Sequence, residues 1–293
     1  MDDIALNFNQ SGLVIMNVCL AFIMFGIALD LSFAKFRGVL KTPKKIVAGL
    51  IGQLFLLPLL TYVLVVLLKP QPSLALGMFL VAACPGGNIS NFISSLAKAN
   101  VALSISLTTI TSLAAVIFTP LNFGFYGNLY EPTHLIMREI SLDWIEVIKT
   151  IGMIILIPII MGVTVKTRWP KHAAKLAKPL EVISMLLFML IVLAALATNL
   201  NQFLASIGGI FFFVLAHNAL ALSTGYLMGT LVSKDSDDRK ALSIETGIQN
   251  SGLGLLIIFA FFEGLGGMAI IAAWWGIWHM VSGFTLAYIW RKY

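Results

Sequence analysis

Long apolar runs, repeated nine times, constrain this chain more than any other feature of it. A helix needs about 20 mostly apolar residues to cross the hydrocarbon core of a bilayer. Runs of that kind lie at roughly 12–34, 46–68, 74–98, 100–121, 144–165, 179–198, 204–231, 241–264 and 268–290. Lipid offers backbone groups no partner outside a helix or a closed barrel, and the two-residue alternation of barrel strands is absent. The runs therefore predict an all-α polytopic membrane protein of nine transmembrane helices. Composition excludes the soluble alternatives. Hydrophobic residues make up 59% of the 293 and charged residues only 11%, against about one quarter charged in an ordinary globular chain. Disordered, collagen-like and nucleic-acid-binding classes fail on the same figures.

The net charge of +6 is not a basic patch, because the cations sit between the apolar runs. Lys35, Arg37, Lys41, Lys44, Lys45, Lys98, Lys166, Arg168, Lys171, Lys175, Lys178, Lys234, Arg239, Lys240, Arg291 and Lys292 all fall on one side if the runs number nine. Lys69, Arg138 and Lys149 are left for the other side, with Asp2, Asp3, Glu131, Glu139 and Asp143. Basic loops stay in the cytoplasm, so the N-terminus is expected outside and the C-terminus inside a plasma or inner membrane. The acidic start lacks the basic region of a signal peptide, so the first span is expected to be retained. Cys19 and Cys84 lie within apolar runs and imply neither a disulfide framework nor a metal site.

An odd number of spans places the termini on opposite sides. Four spans, one crossing and four more put the two blocks in opposite orientations, the arithmetic of an inverted repeat shared by many secondary transporters. The first repeat would occupy 12–121, a bridging helix 144–165 and the second, inverted repeat 179–290. The longest connections, about 122–143 and 166–178, are expected to flank the bridge.

Polar residues at mid-depth carry the functional information in a bilayer. Span three is interrupted by Cys84-Pro85-Gly86-Gly87-Asn88-Ile89-Ser90-Asn91, where proline removes a donor and the glycines weaken the helix. Span eight, its counterpart in the second block, carries Glu245-Thr246-Gly247-Ile248-Gln249-Asn250-Ser251-Gly252. Interrupted segments at corresponding places in two halves point to a transport site, since broken helices expose carbonyls to cations and N-termini to anions. Kinks in packed helices are the bland alternative for either segment alone. A carboxylate inside a span costs roughly 2.5–3.5 kcal/mol on insertion scales, so Glu245 needs a partner: Lys240 or a metal ion. Ser104 and Thr108 lie one turn apart on span four, where helix packing is the ordinary role of hydroxyls. Gln53 in span two needs a hydrogen bond from a neighbouring helix. His279, beside Trp278 in span nine, reads equally as a satisfied structural histidine.

Taken together, Pro85-Gly86-Gly87, Ser90-Asn91 and Leu96-Ala97-Lys98-Ala99-Asn100-Val101-Ala102-Leu103-Ser104 resemble one signature of the bile acid:sodium symporter family. Glu245-Thr246-Gly247-Ile248-Gln249-Asn250-Ser251 is similar to its second, and Trp278-His279 also matches. The resemblance runs over essentially the whole chain. It implies a core domain of spans two to four and seven to nine, a panel domain of spans one, five and six, and two sodium sites behind the crossing of broken spans three and eight. Carried over by motif, the first sodium site would use Ser90, Asn91, Ser104, Thr108 and Glu245. The second would use Gln53 and Gln249, with carbonyls near Thr246 and Ile248. Substrate would be read by Gly87, Asn88, Ile89, Asn250 and His279, the helix resuming after Gly87 offering free backbone donors. Asn88 stands where the family often has threonine, and Met280 where it often has asparagine.

The resemblance thus implies a sodium-coupled symporter working by alternating access, with no cofactor beyond sodium as coupling ion. Its partners would be sodium, membrane lipid and a small organic anion, pantoate-like, 2-oxo acid or bile acid-like, and not nucleic acid. Sodium is a hard cation suited to an all-oxygen set. Two sodium ions carried with one monovalent anion move one net positive charge, for which an inside-negative potential supplies about 2.3 kcal/mol per 100 mV. A proton-coupled or uncoupled carrier of the same fold is the alternative, with Glu245 titrating. An intramembrane enzyme using Glu245 and His279 lacks any accompanying nucleophile or metal-ligand spacing, so the chain is not expected to be an enzyme.

Overall fold

A computed structural model describes residues 10–30, 43–87, 89–139, 143–198 and 200–292. The acidic N-terminus, the basic loop at Lys35–Lys41, the last residues of the first apolar run and Asn88 lie outside the described residues. Among those described, the regular structure is helical: α1 (Gln10–Asp30), α2 (Pro43–Leu68), α3 (Pro72–Ala83), α4 (Ile89–Leu96), α5 (Val101–Leu129), α6 (Glu131–Glu139), α7 (Trp144–Arg168), α8 (Pro170–Thr198), α9 (Leu200–Val232), α10 (Ser236–Gly247), α11 (Ser251–Phe261) and α12 (Gly266–Lys292). Helices occupy each of the apolar runs. The third and eighth runs are split, into α3 with α4 and α10 with α11, at the two polar interruptions. Among the described residues, five helices are long and apolar enough alone to cross a membrane: Pro43–Leu68, Val101–Leu129, Trp144–Arg168, Gly208–Val232 and Gly266–Lys292.

Two boundaries differ from expectation. The connections on either side of 144–165 are not long loops. α5 continues through Pro120 to Leu129 and is followed at once by α6, while only Trp169 separates α7 from α8. The reasons are local. Residues 170–178 put proline at a helix start and follow it with Ala, Lys and Leu, all favourable to a helix. Around Pro120, neighbouring side chains donate to carbonyls of other helices, Thr119 to Ala83 (2.8 Å) and Asn122 to Leu54 (2.8 Å).

Packing separates two groups of helices. α1 lies mainly against α7 and α8. The second group is built on α9 against α10, α3 against α12 and α5, and α4 against α5 and α12. The last residues of α1 are tied to α7, where Lys166 Nζ donates to the Leu29 carbonyl (2.9 Å). Basic side chains are favourable at such helix ends. Large apolar side chains such as Leu67, Phe125, Ile160, Phe212 and Leu231 remain exposed around the circumference, as a lipid-facing surface requires.

Candidate ion-binding site at the paired helix breaks

The two breaks meet. Gly86 and Gln249 form an antiparallel bridge, in which Gly87 N donates to Ile248 O (2.7 Å) and Asn250 N to Pro85 O (2.8 Å). Breaking a helix inside a bilayer frees donors and acceptors that lipid cannot satisfy, and the neighbours account for them one by one. Ala83 O receives Thr119 of α5, Gly247 O receives Asn218 Nδ2 of α9 (2.8 Å), and Thr246 O receives Gln249 Nε2 (2.6 Å). Asn250 caps α11 by accepting from Leu253 N (3.0 Å). Glycine at position 86 leaves room for the Glu245 carboxylate, which a Cβ there would displace, and that Cβ would lie 3.4 Å from Gln53 Nε2.

Glu245, two residues before the second break ends its helix, is 1% exposed. Its Oε2 accepts from Ser90 (2.7 Å) and Ser104 (3.0 Å), and its Oε1 from Thr108 (2.7 Å). Asn91 Oδ1 lies 2.9 Å from Ser104 Oγ and 3.2 Å from Thr108 Oγ1, and Ser94 Oγ is 3.2 Å from Ser104 Oγ. The five residues expected to form the first site are thus brought together from α4, α5 and α10. Ser104 and Thr108 do not serve helix packing alone. Lys240, one of the two partners considered for Glu245, goes instead to Asp237 (3.5 Å), one turn back on its own helix. Among the described residues, no basic side chain pairs with Glu245.

Three hydroxyl protons, from Ser90, Ser104 and Thr108, face the two Glu245 oxygens and Asn91 Oδ1. Ser104 has one hydroxyl proton and faces Glu245 Oε2 and Asn91 Oδ1. Thr108 has one and faces Glu245 Oε1, Asn91 Oδ1 and the Ser104 carbonyl (3.0 Å). A hydroxyl can donate only once, so with Ser90 on Glu245 Oε2, Thr108 on Glu245 Oε1 and Ser104 on Asn91 Oδ1 every hydroxyl proton is spent, and among the described residues the carboxyl group has no positively charged partner. A hard cation would suit such an all-oxygen set and supply the missing positive charge. Among the described residues, no group of three or more His, Cys, Asp or Glu side chains forms a transition-metal set.

The second expected set lies beside the first. Gln53 Nε2 donates to Gln249 Oε1 (3.4 Å), and Gln53, Thr246 and Gln249 are each 1% exposed. Gln53 sits in a widened π-type turn, Gly52–Leu56, within α2; such turns free backbone groups and are common at functional sites. The Thr246 and Ile248 carbonyls each spend one lone pair on Gln249 and Gly87 and keep the other.

The expected substrate residues divide. Gly87 does not offer a free amide, because the antiparallel pairing commits that N–H to Ile248. Asn250 spends its Oδ1 on capping α11. Ile89 opens α4 and is buried, and His279 is buried within α12. Asn88 lies outside the described residues. Sequence reasoning missed His217 and Asn218, a buried polar pair in the middle of α9. Besides holding Gly247 O, Asn218 accepts from Ser282 through its Oδ1 (2.6 Å), and His217 Nε2 is 2.8 Å from Thr61 Oγ1. The rule that drew attention to Glu245, polar residues at mid-span, would have found both.

Known proteins match this chain over most of its length. The family model described as "Sodium Bile acid symporter family" matches residues 17–206, more than half of the chain. The "Uncharacterized sodium-dependent transporter YocS" of Bacillus subtilis (strain 168) is 35% identical over 275 residues, 94% of this chain and 82% of its own. The "Probable sodium/metabolite cotransporter BASS1, chloroplastic" of Arabidopsis thaliana is 30% identical over 278 residues, 94% of this chain and 66% of its own. The "Sodium-dependent organic anion transporter" of Bos taurus is 25% identical over 282 residues, 96% of this chain and 73% of its own. These relatives are transporters and not enzymes. Together with the apolar helices and the family motifs, the match establishes that the chain is a multi-pass membrane protein belonging to the sodium bile acid symporter family.

Proposed function

We propose that the chain is a sodium-coupled symporter of a small organic anion, with two sodium ions held behind the paired breaks. The observation that carries this reading is the buried Glu245 carboxyl, ringed by the hydroxyl and amide oxygens of Ser90, Asn91, Ser104 and Thr108 with no basic side chain beside it among the described residues. Sodium would be held there by Ser90, Asn91, Ser104, Thr108 and Glu245, and a second ion by Gln53, Gln249 and the free lone pairs of Thr246 and Ile248. The relatives' sodium dependence supports the coupling ion, and the bovine relative's organic anion supports the substrate class.

Coupling follows from charge. Without sodium, Glu245 holds a negative charge in a medium of low dielectric and repels an approaching anion. Sodium removes that repulsion and fixes the ends of the broken helices, so anion affinity rises with sodium. Linkage then requires the anion to raise sodium affinity by the same factor. α1, α7 and part of α8 would form a panel against which a core of the remaining helices moves, giving alternating access with the N-terminus outside. Asn88, Ile89, Asn250 and His279 remain the candidates for contacting the anion; Gly87 contributes shape in place of its amide.

The test uses sodium itself. Purified protein is melted in sodium chloride and in choline chloride of equal ionic strength. A ligand that binds only the folded state raises the melting temperature by mass action. A saturable rise with sodium, absent in Glu245→Ala, is the expected outcome. A response to pH in place of sodium would favour proton coupling through Glu245. A screen of organic anions in the same assay, repeated without sodium, then identifies the substrate class.

A further inference from the structure

Beyond the ion cluster lies a second buried carboxylate. Asp238, in the first turn of α10, is fully buried. It pairs with Lys45 of α2, accepts from Asn100 Nδ2 (2.7 Å), and accepts from Ser233 Oγ (2.5 Å) just beyond α9. Asn100 is the N-cap of α5, accepting from Leu103 N (3.1 Å), and its own N–H donates to Asp237 O (3.0 Å). Arg239 Nε and its second guanidinium nitrogen hold the Ser233 (3.1 Å) and Lys234 (2.7 Å) carbonyls. A single carboxylate thus gathers the ends of four helices.

Each of those helices reaches the ion cluster one to two turns farther along. From Lys45, α2 runs to Gln53. From Asn100, α5 runs to Ser104 and Thr108. From Asp238, α10 runs to Glu245 and Thr246. Running back from Ser233, α9 reaches Gly225, where a Cβ would approach Thr246 Oγ1 to 2.7 Å. A helix transmits an axial or rotational error at one end to the other end, because its repeat is rigid over so short a distance. Helix-dipole compensation does not explain the arrangement, since it needs no burial and Asp237 already supplies it. Nor does stability, because well-packed apolar residues often replace a buried ion pair at no loss, whereas buried charge can specify register.

We propose that Asp238 is a positioning residue for the cation cluster: its clamp with Lys45, Asn100 and Ser233 sets the register of the helices that present the oxygen ligands. The inference rests on the reading of that cluster as a sodium site. It predicts that sodium affinity and stability come apart. In the double variant K45M/D238L, apolar packing replaces the pair, so the melting temperature in choline chloride stays at or above that of wild type. The sodium concentration for half-maximal stabilisation nevertheless rises about tenfold or more, the usual cost of losing a partner that orients metal ligands. Asp238→Asn, which keeps the volume and one acceptor, shifts the same half-point in the same direction, and Lys45→Arg, which keeps the charge, leaves it near wild type.

Sodium melting curves of these variants beside wild type and Glu245→Ala decide the matter. A wild-type half-point in both folded K45M/D238L and Asp238→Asn overturns the proposal. So does a sodium defect in Asp238→Asn fully matched by its loss of stability in choline and absent from K45M/D238L. A Glu245→Ala protein that still responds to sodium overturns the reading of the cluster itself, a result distinguishable from failure of the clamp.

Discussion

The two helix breaks do the same geometric job with different chemistry. The first, between α3 and α4, is made by the backbone: Pro85 lacks a donor and Gly86 leaves room for the carboxylate facing it. It is followed by neutral oxygens, Ser90 and Asn91. The second, between α10 and α11, contains no proline. It is made by Asn250, which caps the resuming helix, and by Gln249 and Asn218, which take up the abandoned carbonyls. The charge, Glu245, precedes it. One break therefore supplies space and neutral ligands, and the other supplies the charge and the caps. Neither is complete alone, because each satisfies backbone groups of the other.

That division can be broken at graded cost. The largest effect is expected from Glu245→Ala, which removes the cluster's only carboxylate. Sodium affinity should fall by about 100-fold or more, beyond what orienting partners alone contribute, as read from sodium melting curves. Gly86→Ala comes next. Its Cβ would displace the same carboxylate, so it should lose most of the sodium response, whereas Gly208→Ala, with open space around its Cβ, should melt and bind as wild type. Gln249→Ala removes a ligand of the second set and leaves Glu245 in place. It should abolish sodium-dependent anion binding while retaining a residual sodium response. Asn250→Ala removes the cap of α11 and should cost the fold about 1 kcal/mol as N-cap losses do, visible as a lower melting temperature in choline and sodium alike.

The smallest effect concerns Asp238, away from the breaks. Burial pushes its carboxyl up, but hydrogen bonds from Lys45, Ser233 and Asn100 and the Lys45 charge together hold it below its ordinary value of 3.8. A depressed value means that the pairing stabilises the fold above 3.8 and is lost only as pH falls below it. The melting temperatures of wild type and Asp238→Asn, followed with pH, should therefore keep a constant difference from pH 7 to about pH 5 and converge only in stronger acid.

Much of the site is legible in the sequence. Apolar periodicity locates the helices, and Pro85, Gly86, Gly87 and Glu245 mark the breaks because proline, glycine and charge are costly at mid-membrane. The motif resemblance groups Ser90, Asn91, Ser104, Thr108 and Glu245, and these five converge. Pairing is what local reasoning could not supply. That the Gly87 amide is spent on Ile248, that Lys240 turns to Asp237, and that Asn100, Lys45 and Ser233 meet on Asp238 are all contacts between segments distant in sequence. No periodicity encodes them. Loop lengths failed for the opposite reason, since residues 122–139 and 166–178 are too polar in part to read as spans yet favourable enough to continue as helix.

Direct equilibrium binding of radiolabelled sodium to purified wild type and Glu245→Ala tests the central claim most plainly. Wild type should bind two ions per chain saturably, displaced by unlabelled sodium but not by choline, and the variant should lose the ion at the Glu245 cluster. Sodium binding of equal stoichiometry and affinity in a folded Glu245→Ala protein would contradict it.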